Sequence, residues 1–251
     1  MPAPDLVVLF QDRDMLVVDK PAGLHTAPLL REETDTLLDR VIAMFPEVAA
    51  LPGVKPVEPG LLHRLDQETS GVVVVARTAE AFRLLRRAFI SGSSCKEYIA
   101  VCGRGEADGS TGQTARIESR FAPFGPGRKR VRVVLPTEGK RGGARQATRE
   151  TYATEADVLF RAAGRVLLSA RIFRGFRHQV RAHLSFLGYP ILGDPLYGVP
   201  VPPGLVPRMY LHAARLEMPH PRSGAPLVVR SPVPAEFGAA FPDYHGKELT
   251  P

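Results

Sequence analysis

The chain has 251 residues, of which 44% are hydrophobic and 24% are charged, and its formal net charge is +7. This composition is typical of globular proteins and excludes a largely disordered chain. No apolar run reaches the length of a membrane span, and the first residues lack the basic and apolar regions of a signal peptide. We therefore expect a cytoplasmic protein that does not associate with membranes.

The first part of the chain alternates strand and helix patterns. Apolar runs predict strands at residues 6–10, 15–18, 71–77 and 96–101. The strand at 71–77 has no polar face, which is typical of a central strand. Helical periodicity covers residues 34–45, with an N-cap at Thr34 or Asp35, and residues 78–91.

The second part of the chain is richer in strands. Short β-rich runs predict strands at residues 115–118, 131–135, 147–153, 166–173, 209–218 and 226–230. Helices are expected at residues 177–187 and 235–240. The mixture of elements predicts an α+β protein, and we expect one domain over residues 1–251, in two halves around a cleft.

Positive charge is concentrated in one segment of the chain. Residues 116–149 contain ten basic residues against two acidic ones, so this segment carries +8 and the rest of the chain −1. The basic residues are Arg116, Arg120, Arg128, Lys129, Arg130, Arg132, Lys140, Arg141, Arg145 and Arg149. Such a local patch is typical of a protein that binds a polyanion, although a merely solvated basic loop has the same composition.

The sequence offers little for a metal or a disulfide. Cys95 and Cys102 match neither a metal-binding spacing nor a disulfide framework. His178 and His183 are five residues apart, which places them poorly for one helical face. We therefore predict no catalytic metal.

One carboxylate stands out from the others by its position. Asp66 follows Arg64 and precedes a turn that leads directly into the buried strand at 71–77. A carboxylate in this setting can act as a nucleophile or a base without a metal. An Arg-x-Asp pair before a strand can equally be a surface ion pair with a turn cap, so both interpretations stay open on these residues alone.

Four motifs, in order along the chain, resemble those of the RluA-type pseudouridine synthases. They are Asp19-Lys20-Pro21-x-Gly23, His63-Arg64-Leu65-Asp66-x-x-Thr69-Ser70-Gly71, Lys96-x-Tyr98, and His178-Gln179-Val180-Arg181-x-His183-Leu184 followed by Leu187-Gly188-x-Pro190-Ile191-x-Gly193-Asp194. The resemblance extends over residues 6–232. It implies the pseudouridine synthase fold, a mixed and mostly antiparallel central sheet with flanking helices around an active-site cleft.

The resemblance also implies an activity. Enzymes of this family isomerise a uridine in RNA by breaking its N-glycosidic bond, turning the base and rejoining it through C5, without a cofactor. Asp66 would attack C1′ or remove a proton from C2′, with Arg181 as the cation paired with it. Tyr98 would stack on the uracil and help to remove the C5 proton. Arg64 would take the place of the extruded nucleotide, or only pair with a nearby acid.

The expected partner is a structured rRNA or tRNA stem-loop. The target nucleotide must flip out of its helix at a cost of a few kcal/mol, which phosphate contacts offset. We assign these contacts to Arg128, Lys129, Arg130 and Arg132. Many relatives carry an N-terminal S4 RNA-binding domain, but only five residues precede the first strand here, so we expect none. No obligate protein partner is expected. Phe176 stands where many relatives carry a basic residue.

Two other functions fit part of the sequence. A non-catalytic RNA-binding protein could keep the fold, but it would be expected to lose the set of Asp66, Tyr98 and Arg181. A glycoside hydrolase would need two opposed carboxyl groups, and only Glu68 is near Asp66 in the sequence. The particular RNA, the particular uridine and the oligomeric state stay open.

Overall fold

The computed structural model describes residues 6–29, 33–103, 114–137, 146–162 and 164–241. The chain forms two compact units, one drawn from Met1–Lys96 and His212–Pro232 and the other from Glu97–Leu211 and Val233–Leu249. Among the described residues, no helix is both long enough and apolar enough to cross a membrane.

The first unit combines five strands with two helices. Its elements are β1 (Val7–Gln11), β2 (Met15–Lys20), α1 (Leu37–Met44), β3 (Ser70–Ala76), α2 (Ala79–Ser91), β9 (Leu211–Pro219) and β10 (Pro226–Arg230). The strands are ordered β1-β2-β3-β9-β10. All neighbours are antiparallel except β3 and β9, which pair in parallel through Ser70 and Gly71.

The core of the first unit lies between the sheet and α2. All seven residues of β3 are buried, as the unbroken apolar run predicts. Helix α2 packs Phe82 and Leu85 against Val72 and Val74 of β3. Burial of each such side chain contributes about 1.5–3 kcal/mol, so this packing fixes the strand that begins just after Asp66.

The second unit combines five strands with two helices. Its elements are β4 (Cys95–Gly103), β5 (Thr114–Phe124), β6 (Arg130–Val134), β7 (Tyr152–Ala162), β8 (Arg165–Ile172), α3 (Gln179–Phe186) and α4 (Ala235–Ala239). The strands are ordered β4-β8-β7-β5-β6. The β5–β6, β5–β7 and β7–β8 pairs are antiparallel. The prediction of an α+β fold with a mixed, mostly antiparallel sheet is confirmed, and the cleft stays a prediction.

Two predictions of local structure are wrong. The N-cap of α1 is Thr36, and neither Thr34 nor Asp35 caps this helix. Thr36 forms a reciprocal capping box, in which its hydroxyl accepts from the Asp39 amide and the Asp39 carboxylate accepts from the Thr36 amide. This arrangement satisfies two amide groups of the first turn at once, which explains why the helix begins later than expected.

The second wrong prediction is the strand at residues 147–153. The strand in this region is β7, Tyr152–Ala162, so the predicted strand overlaps it by only two residues. Glu155, Asp157 and Arg161 interrupt the apolar pattern of β7. Its pairing with both β5 and β8 outweighs the low β propensity of these charged residues.

Candidate active site and basic hairpin

Asp66 lies in a tight turn at the entrance to β3. The Thr69 amide donates to the Asp66 carbonyl oxygen over 3.1 Å, which closes a four-residue turn over Gln67 and Glu68. The Asp66 side chain is half-buried, whereas Leu65 before it and Thr69 after the turn are buried. The turn therefore presents the carboxylate at a partly exposed position on a rigid base.

A buried threonine fixes the backbone immediately before Asp66. The Thr26 hydroxyl donates to the Leu65 carbonyl oxygen over 2.7 Å and accepts from the Leu65 amide over 3.1 Å. Thr26 is 3% exposed, so water does not compete strongly for these bonds. The peptide groups on both sides of Leu65 are thus held by one side chain from 39 residues earlier.

A buried lysine fixes the backbone immediately after Asp66. The Lys20 ammonium group donates to the carbonyl oxygens of Gln67, Pro21 and Leu24 over 2.9, 2.8 and 2.6 Å, and the side chain is fully buried. The Gly23 amide also donates to the Gln67 oxygen over 2.9 Å. Lys20 and Thr26 therefore hold the residues on either side of Asp66, which gives the Lys-Pro-x-Gly motif a structural purpose.

The parallel pairing of β3 with β9 leaves no room for a side chain at Gly71. A Cβ atom added at Gly71 would lie 2.3 Å from the Ala213 carbonyl oxygen, and the residue has a φ of +116°. Next to it, the buried Ser70 hydroxyl is 2.9 Å from Nδ1 of His212. Glycine at this position lets β3 approach β9 closely, so the turn that carries Asp66 is anchored at its end as well.

His63 and Arg64, which precede Leu65, have different environments. Nε2 of His63 accepts a hydrogen bond from the Val74 amide over 3.2 Å, and its ring stacks on Phe89 with a centroid distance of 5.1 Å. Burial lowers the pKa of His63 well below its ordinary value, so the ring is neutral. This buried, hydrogen-bonded position gives His63 a structural role.

Arg64 is an exposed residue with a buried acidic partner. Its guanidinium nitrogen is 3.2 Å from a carboxylate oxygen of Glu58, whose side chain is 4% exposed. Of the two roles expected for Arg64, pairing with a nearby acid is present in the structure. Insertion into RNA would require this ion pair to open.

The predicted residues Tyr98 and Arg181 lie in the second unit, whereas Asp66 lies in the first. Tyr98 is in β4 and is 6% exposed, and Arg181 is in α3 and is 5% exposed. The pairing of Arg181 with Asp66 stays a prediction, as does the stacking of Tyr98 on a uracil. Burial of Arg181 excludes the interpretation of this residue as an exposed helix arginine.

Arg181 is held by a carboxylate within its own unit. Its Nε and one terminal nitrogen donate to the two oxygens of Asp194 over 2.7 and 2.6 Å. Burial alone would raise the pKa of Asp194, but the Arg181 hydrogen bonds and charge hold it below its ordinary value. The forked geometry fixes the plane of the guanidinium group relative to the Asp194 carboxylate.

Buried polar contacts hold α3 against the strands. The His183 ring nitrogens lie 2.8 Å from the Ser119 hydroxyl and 2.7 Å from the Thr154 hydroxyl. Burial lowers the pKa of His183 to about 4, which keeps the ring neutral. Gln179 donates to the Ala153 carbonyl oxygen over 2.9 Å. These contacts explain why His183 and Gln179 belong to the same motif as Arg181.

The basic segment forms a hairpin from β5 and β6. Arg128, Lys129 and Arg130 at its tip are exposed, and Arg132 is half-buried. The Arg177 guanidinium group donates to the carbonyl oxygens of Arg128 and Arg130 over 2.8 and 3.3 Å, which ties the tip to the loop before α3. Lys140, Arg141 and Arg145 of the predicted segment lie outside the described residues.

Phe176 has a structural explanation in this hairpin. Its ring stacks on Phe121 of β5, with a centroid distance of 5.0 Å and an angle of 6°, and also packs against Tyr152. The aromatic side chain at this position therefore joins the loop before α3 to the hairpin by apolar packing.

Sequence reasoning missed three residues that organise the site. No function was assigned to Thr26, Asp194 or Tyr197, although Asp194 belongs to a quoted motif. Thr26 gave no local signal, because its partner Leu65 is distant in sequence. The Gly193-Asp194 pair beside the His-Gln-Val-Arg motif was the one usable signal, since a buried arginine requires a carboxylate nearby.

One group of possible metal ligands occurs among the described residues. It consists of Asp12, Asp14 and His220 in the first unit. Both carboxylate oxygens of Asp14 accept from the Arg222 guanidinium group, over 2.7 and 2.5 Å. Asp12 bonds to His220 over 2.6 Å. Arg222 and Arg13, which both pair with Asp14, offset the charge of the two carboxylates in this group.

Comparisons with known proteins agree with the motifs. The family model described as RNA pseudouridylate synthase matches residues 14–186. The ribosomal large subunit pseudouridine synthase D of Pseudomonas aeruginosa is 32% identical over 245 residues, which cover 93% of this chain and 70% of that protein. The dual-specificity RNA pseudouridine synthase RluA of Escherichia coli K12 is 34% identical over 232 residues, covering 91% of this chain and 94% of that protein.

Solved structures show the same fold. The structure of human RNA pseudouridylate synthase domain containing 4 aligns with this chain with a TM-score of 0.69 and 22% sequence identity. The alignment covers 92% of this chain and 90% of the human chain. The structure of human RNA pseudouridylate synthase domain containing 1 aligns with a TM-score of 0.66 and 25% sequence identity, covering 92% of this chain and 85% of the human chain. The chain therefore belongs to the RNA pseudouridine synthase family, as an RluA-type isomerase that acts on RNA.

Proposed function

We propose that this protein converts a specific uridine in an rRNA or tRNA stem-loop to pseudouridine, with Asp66 as the group that acts on the ribose. The observation that carries the proposal is the fixation of Asp66 by Thr26 before it and Lys20 after it. A carboxylate that must reach one atom of a flipped nucleotide needs such a fixed backbone.

Two routes are open for the ribose step. In the first, an Asp66 oxygen bonds to C1′ as the C1′–N1 bond breaks, and the uracil leaves as an anion. In the second, Asp66 takes the C2′ proton as the same bond breaks, and returns it later. When C5 of the turned uracil bonds to C1′, the Asp66–C1′ bond breaks in the first route, and Asp66 returns the proton to C2′ in the second. C5 then loses its proton and N1 gains one, so no atom or electron is gained or lost.

The other site residues have distinct parts in this proposal. Arg181, oriented by Asp194, supplies the positive charge that pairs with the Asp66 carboxylate in both routes. Tyr98 offers a flat face to the uracil and a hydroxyl that helps to remove the C5 proton. Arg64 leaves Glu58 to fill the gap that the flipped nucleotide leaves in the RNA helix.

The RNA is bound through its phosphates and its shape. The hairpin residues Arg128, Lys129, Arg130 and Arg132 would contact phosphates beside the target nucleotide. One relative is named for ribosomal large subunit modification and another for dual specificity, so we propose large-subunit rRNA and tRNA stem-loops as the substrates to test. An enzyme that modifies these RNAs is expected to work in the cytoplasm.

The test compares the wild-type protein with Asp66→Asn on unmodified transcripts. Pseudouridine in a tRNA pool and in large-subunit rRNA fragments is mapped by carbodiimide labelling and reverse transcription. We expect wild-type protein to modify one or a few uridines, and Asp66→Asn to fold and bind the same RNA without converting it. Turnover by the variant would remove Asp66 from its central role. RNA binding by wild-type protein without pseudouridine would favour the non-catalytic alternative.

A further inference from the structure

Tyr197 contacts the basic hairpin through its hydroxyl group. The hydroxyl oxygen accepts from the Val131 amide over 2.6 Å. Val131 lies in β6 between Arg130 and Arg132, two of the residues proposed to bind phosphate. The first residues of β6 are therefore bonded to a side chain that does not belong to the hairpin.

The same tyrosine contacts the Arg181–Asp194 pair. The Arg181 guanidinium carbon lies 5.5 Å from the centre of the Tyr197 ring, within the range of a cation–π contact. The Tyr197 amide donates to Oδ1 of Asp194 over 3.1 Å, and this oxygen also accepts from Arg181. Tyr197 thus contacts both members of the ion pair that fixes the direction of Arg181.

A third contact connects Tyr197 with the start of α3. Its hydroxyl is 3.1 Å from Nδ1 of His178, the residue just before α3, which has a φ of +57°. The hydroxyl group therefore contacts both the Val131 amide, from which it accepts, and the His178 ring. Burial raises the pKa of Tyr197, which keeps the hydroxyl group protonated.

We propose that Tyr197 is a positioning residue, which transmits binding of RNA phosphates by the hairpin to the orientation of Arg181. The proposal rests on the functions proposed above for the hairpin and for Arg181. Phosphates bound by Arg130 and Arg132 stabilise one position of β6. The Tyr197 hydroxyl links that position to His178, and the Tyr197 ring and amide link it to Arg181 and Asp194. Correctly bound RNA thereby favours the arrangement of Arg181 that the reaction uses.

Tyr197→Phe removes the hydroxyl link between β6 and His178 and leaves the other contacts of the hairpin in place. The variant keeps the ring beside Arg181 and the amide bond to Asp194, and removes only the hydroxyl. Arg177 and the Phe121–Phe176 stack still attach the hairpin to the loop before α3. Tyr210→Phe is the matched control in the same unit, since it removes a hydroxyl that donates to the Val206 carbonyl oxygen over 3.1 Å and does not contact the hairpin.

The measurements are the dissociation constant for RNA and the rate of pseudouridine formation in a single turnover. For Tyr197→Phe we expect the rate to fall about tenfold, which corresponds to about 1.4 kcal/mol. Its dissociation constant should change by less than about twofold, and Tyr210→Phe should match the wild type in both quantities. A wild-type rate for Tyr197→Phe, or the same loss in Tyr210→Phe, would overturn the proposal.

A double-mutant cycle tests the coupling itself. Arg130→Gln with Arg132→Gln should weaken binding and lower the single-turnover rate in the wild-type background, and should only weaken binding in the Tyr197→Phe background. An equal loss of rate in both backgrounds would contradict the link. Loss of activity in Asp66→Asn, measured alongside, confirms the proposed function independently, so its failure can be told apart from a failure of the coupling.

A second variant serves if Tyr197→Phe does not fold. His178→Gly removes the ring that contacts the Tyr197 hydroxyl and keeps the Val131 bond, and glycine adopts the φ of +57° at this position without strain. We expect its single-turnover rate to fall by at least about threefold, with little change in RNA affinity. An unchanged rate in this variant would overturn the proposal as well.

Discussion

The Lys20 ammonium group donates a hydrogen bond to the Gln67 carbonyl oxygen over 2.9 Å and joins two segments 47 residues apart in sequence. Lys20 is fully buried, and two more carbonyl oxygens, of Pro21 and Leu24, accept from the same group. Removing an ammonium group from water is costly, and hydrogen bonds to carbonyl oxygens offset that cost only when their geometry is good. The turn that presents Asp66 is therefore fixed in one arrangement.

Lys20→Met tests whether this bond positions Asp66. Methionine has a similar volume but removes the Lys20 donor from three carbonyl oxygens, of which that of Gln67 keeps the Gly23 amide, so we expect the free energy of unfolding to fall by about 2 kcal/mol. The single-turnover rate should fall by at least about tenfold, because the turn can shift relative to the substrate. Urea denaturation and single-turnover assays measure the two effects. The control is Lys55→Met, at a lysine whose side chain is 55% exposed. A wild-type rate in Lys20→Met would show that the bond does not matter for catalysis.

Thr26 gives an independent test on the other side of Asp66. Thr26→Val has nearly the same shape but loses both hydrogen bonds to Leu65, so stability should fall by about 1–3 kcal/mol. The single-turnover rate should fall with it, and RNA affinity should not. Thr26→Ser keeps the hydroxyl and should retain most of the rate. If the valine and serine variants have equal rates, the hydroxyl does not position the turn.

The strongly patterned elements could be predicted from the sequence. The unbroken apolar run of β3 and the Phe82–Leu85 stripe of α2 determine where these elements pack, and both lie close to their predicted positions. Strand β7 was missed because charged residues interrupt its pattern, and its partners β5 and β8 determine its structure. Pairing with neighbouring strands therefore determines the structure of β7, whose own sequence has only a weak preference for a strand.

The sequence motifs predict candidate site residues but not the contacts that hold them. Asp66, Tyr98 and Arg181 are predicted because they lie at fixed spacings from recognisable neighbours, and their roles stay predictions. The bonds from Thr26 to Leu65 and from Tyr197 to Val131 span 39 and 66 residues, and no local pattern encodes such pairs. Phe176 was noted as a departure, and only the structure shows that it stacks on Phe121.

The charged hairpin should govern the salt dependence of RNA binding. Replacing Arg128, Lys129, Arg130 and Arg132 together by Gln should weaken binding and reduce the slope of log affinity against log salt by about 3, if each residue neutralises one phosphate. The fold should persist, because the Phe121–Phe176 stack and the Arg177 contacts to backbone oxygens are kept. Binding is measured by filter retention at several salt concentrations, and circular dichroism checks the fold.

The matched control for the hairpin removes four charges from the first unit. It replaces Arg13, Arg83, Arg86 and Arg87 by Gln, which changes the net charge by the same amount. We expect this variant to keep most of the wild-type slope. Equal slopes in the two variants would mean that net charge, and not the hairpin, governs binding. An unchanged slope in the hairpin variant would mean that other residues contact the phosphates.

Lys96 should make the stability of the protein depend on pH. Its side chain is 6% exposed and its ammonium group lies 5.7 Å from the centre of the Phe89 ring, and no carboxylate among the described residues forms an ion pair with it. Burial lowers the pKa of Lys96 from its ordinary 10.5 to about 8. The unfolded chain therefore binds more protons than the folded chain between pH 8 and 10.5, so stability rises with pH over this range.

Lys96→Met isolates this contribution of Lys96. Below pH 8 the charged side chain costs the folded protein about 3 kcal/mol, the free-energy equivalent of its lowered pKa, and methionine relieves that cost. The variant should be more stable than the wild type at pH 7, and the difference should shrink as the pH approaches 10.5. Urea denaturation of both proteins at pH 7, 9 and 10 measures the difference, while Lys55→Met should show none of this trend. A constant difference across the three pH values would mean that Lys96 keeps its ordinary pKa in the fold.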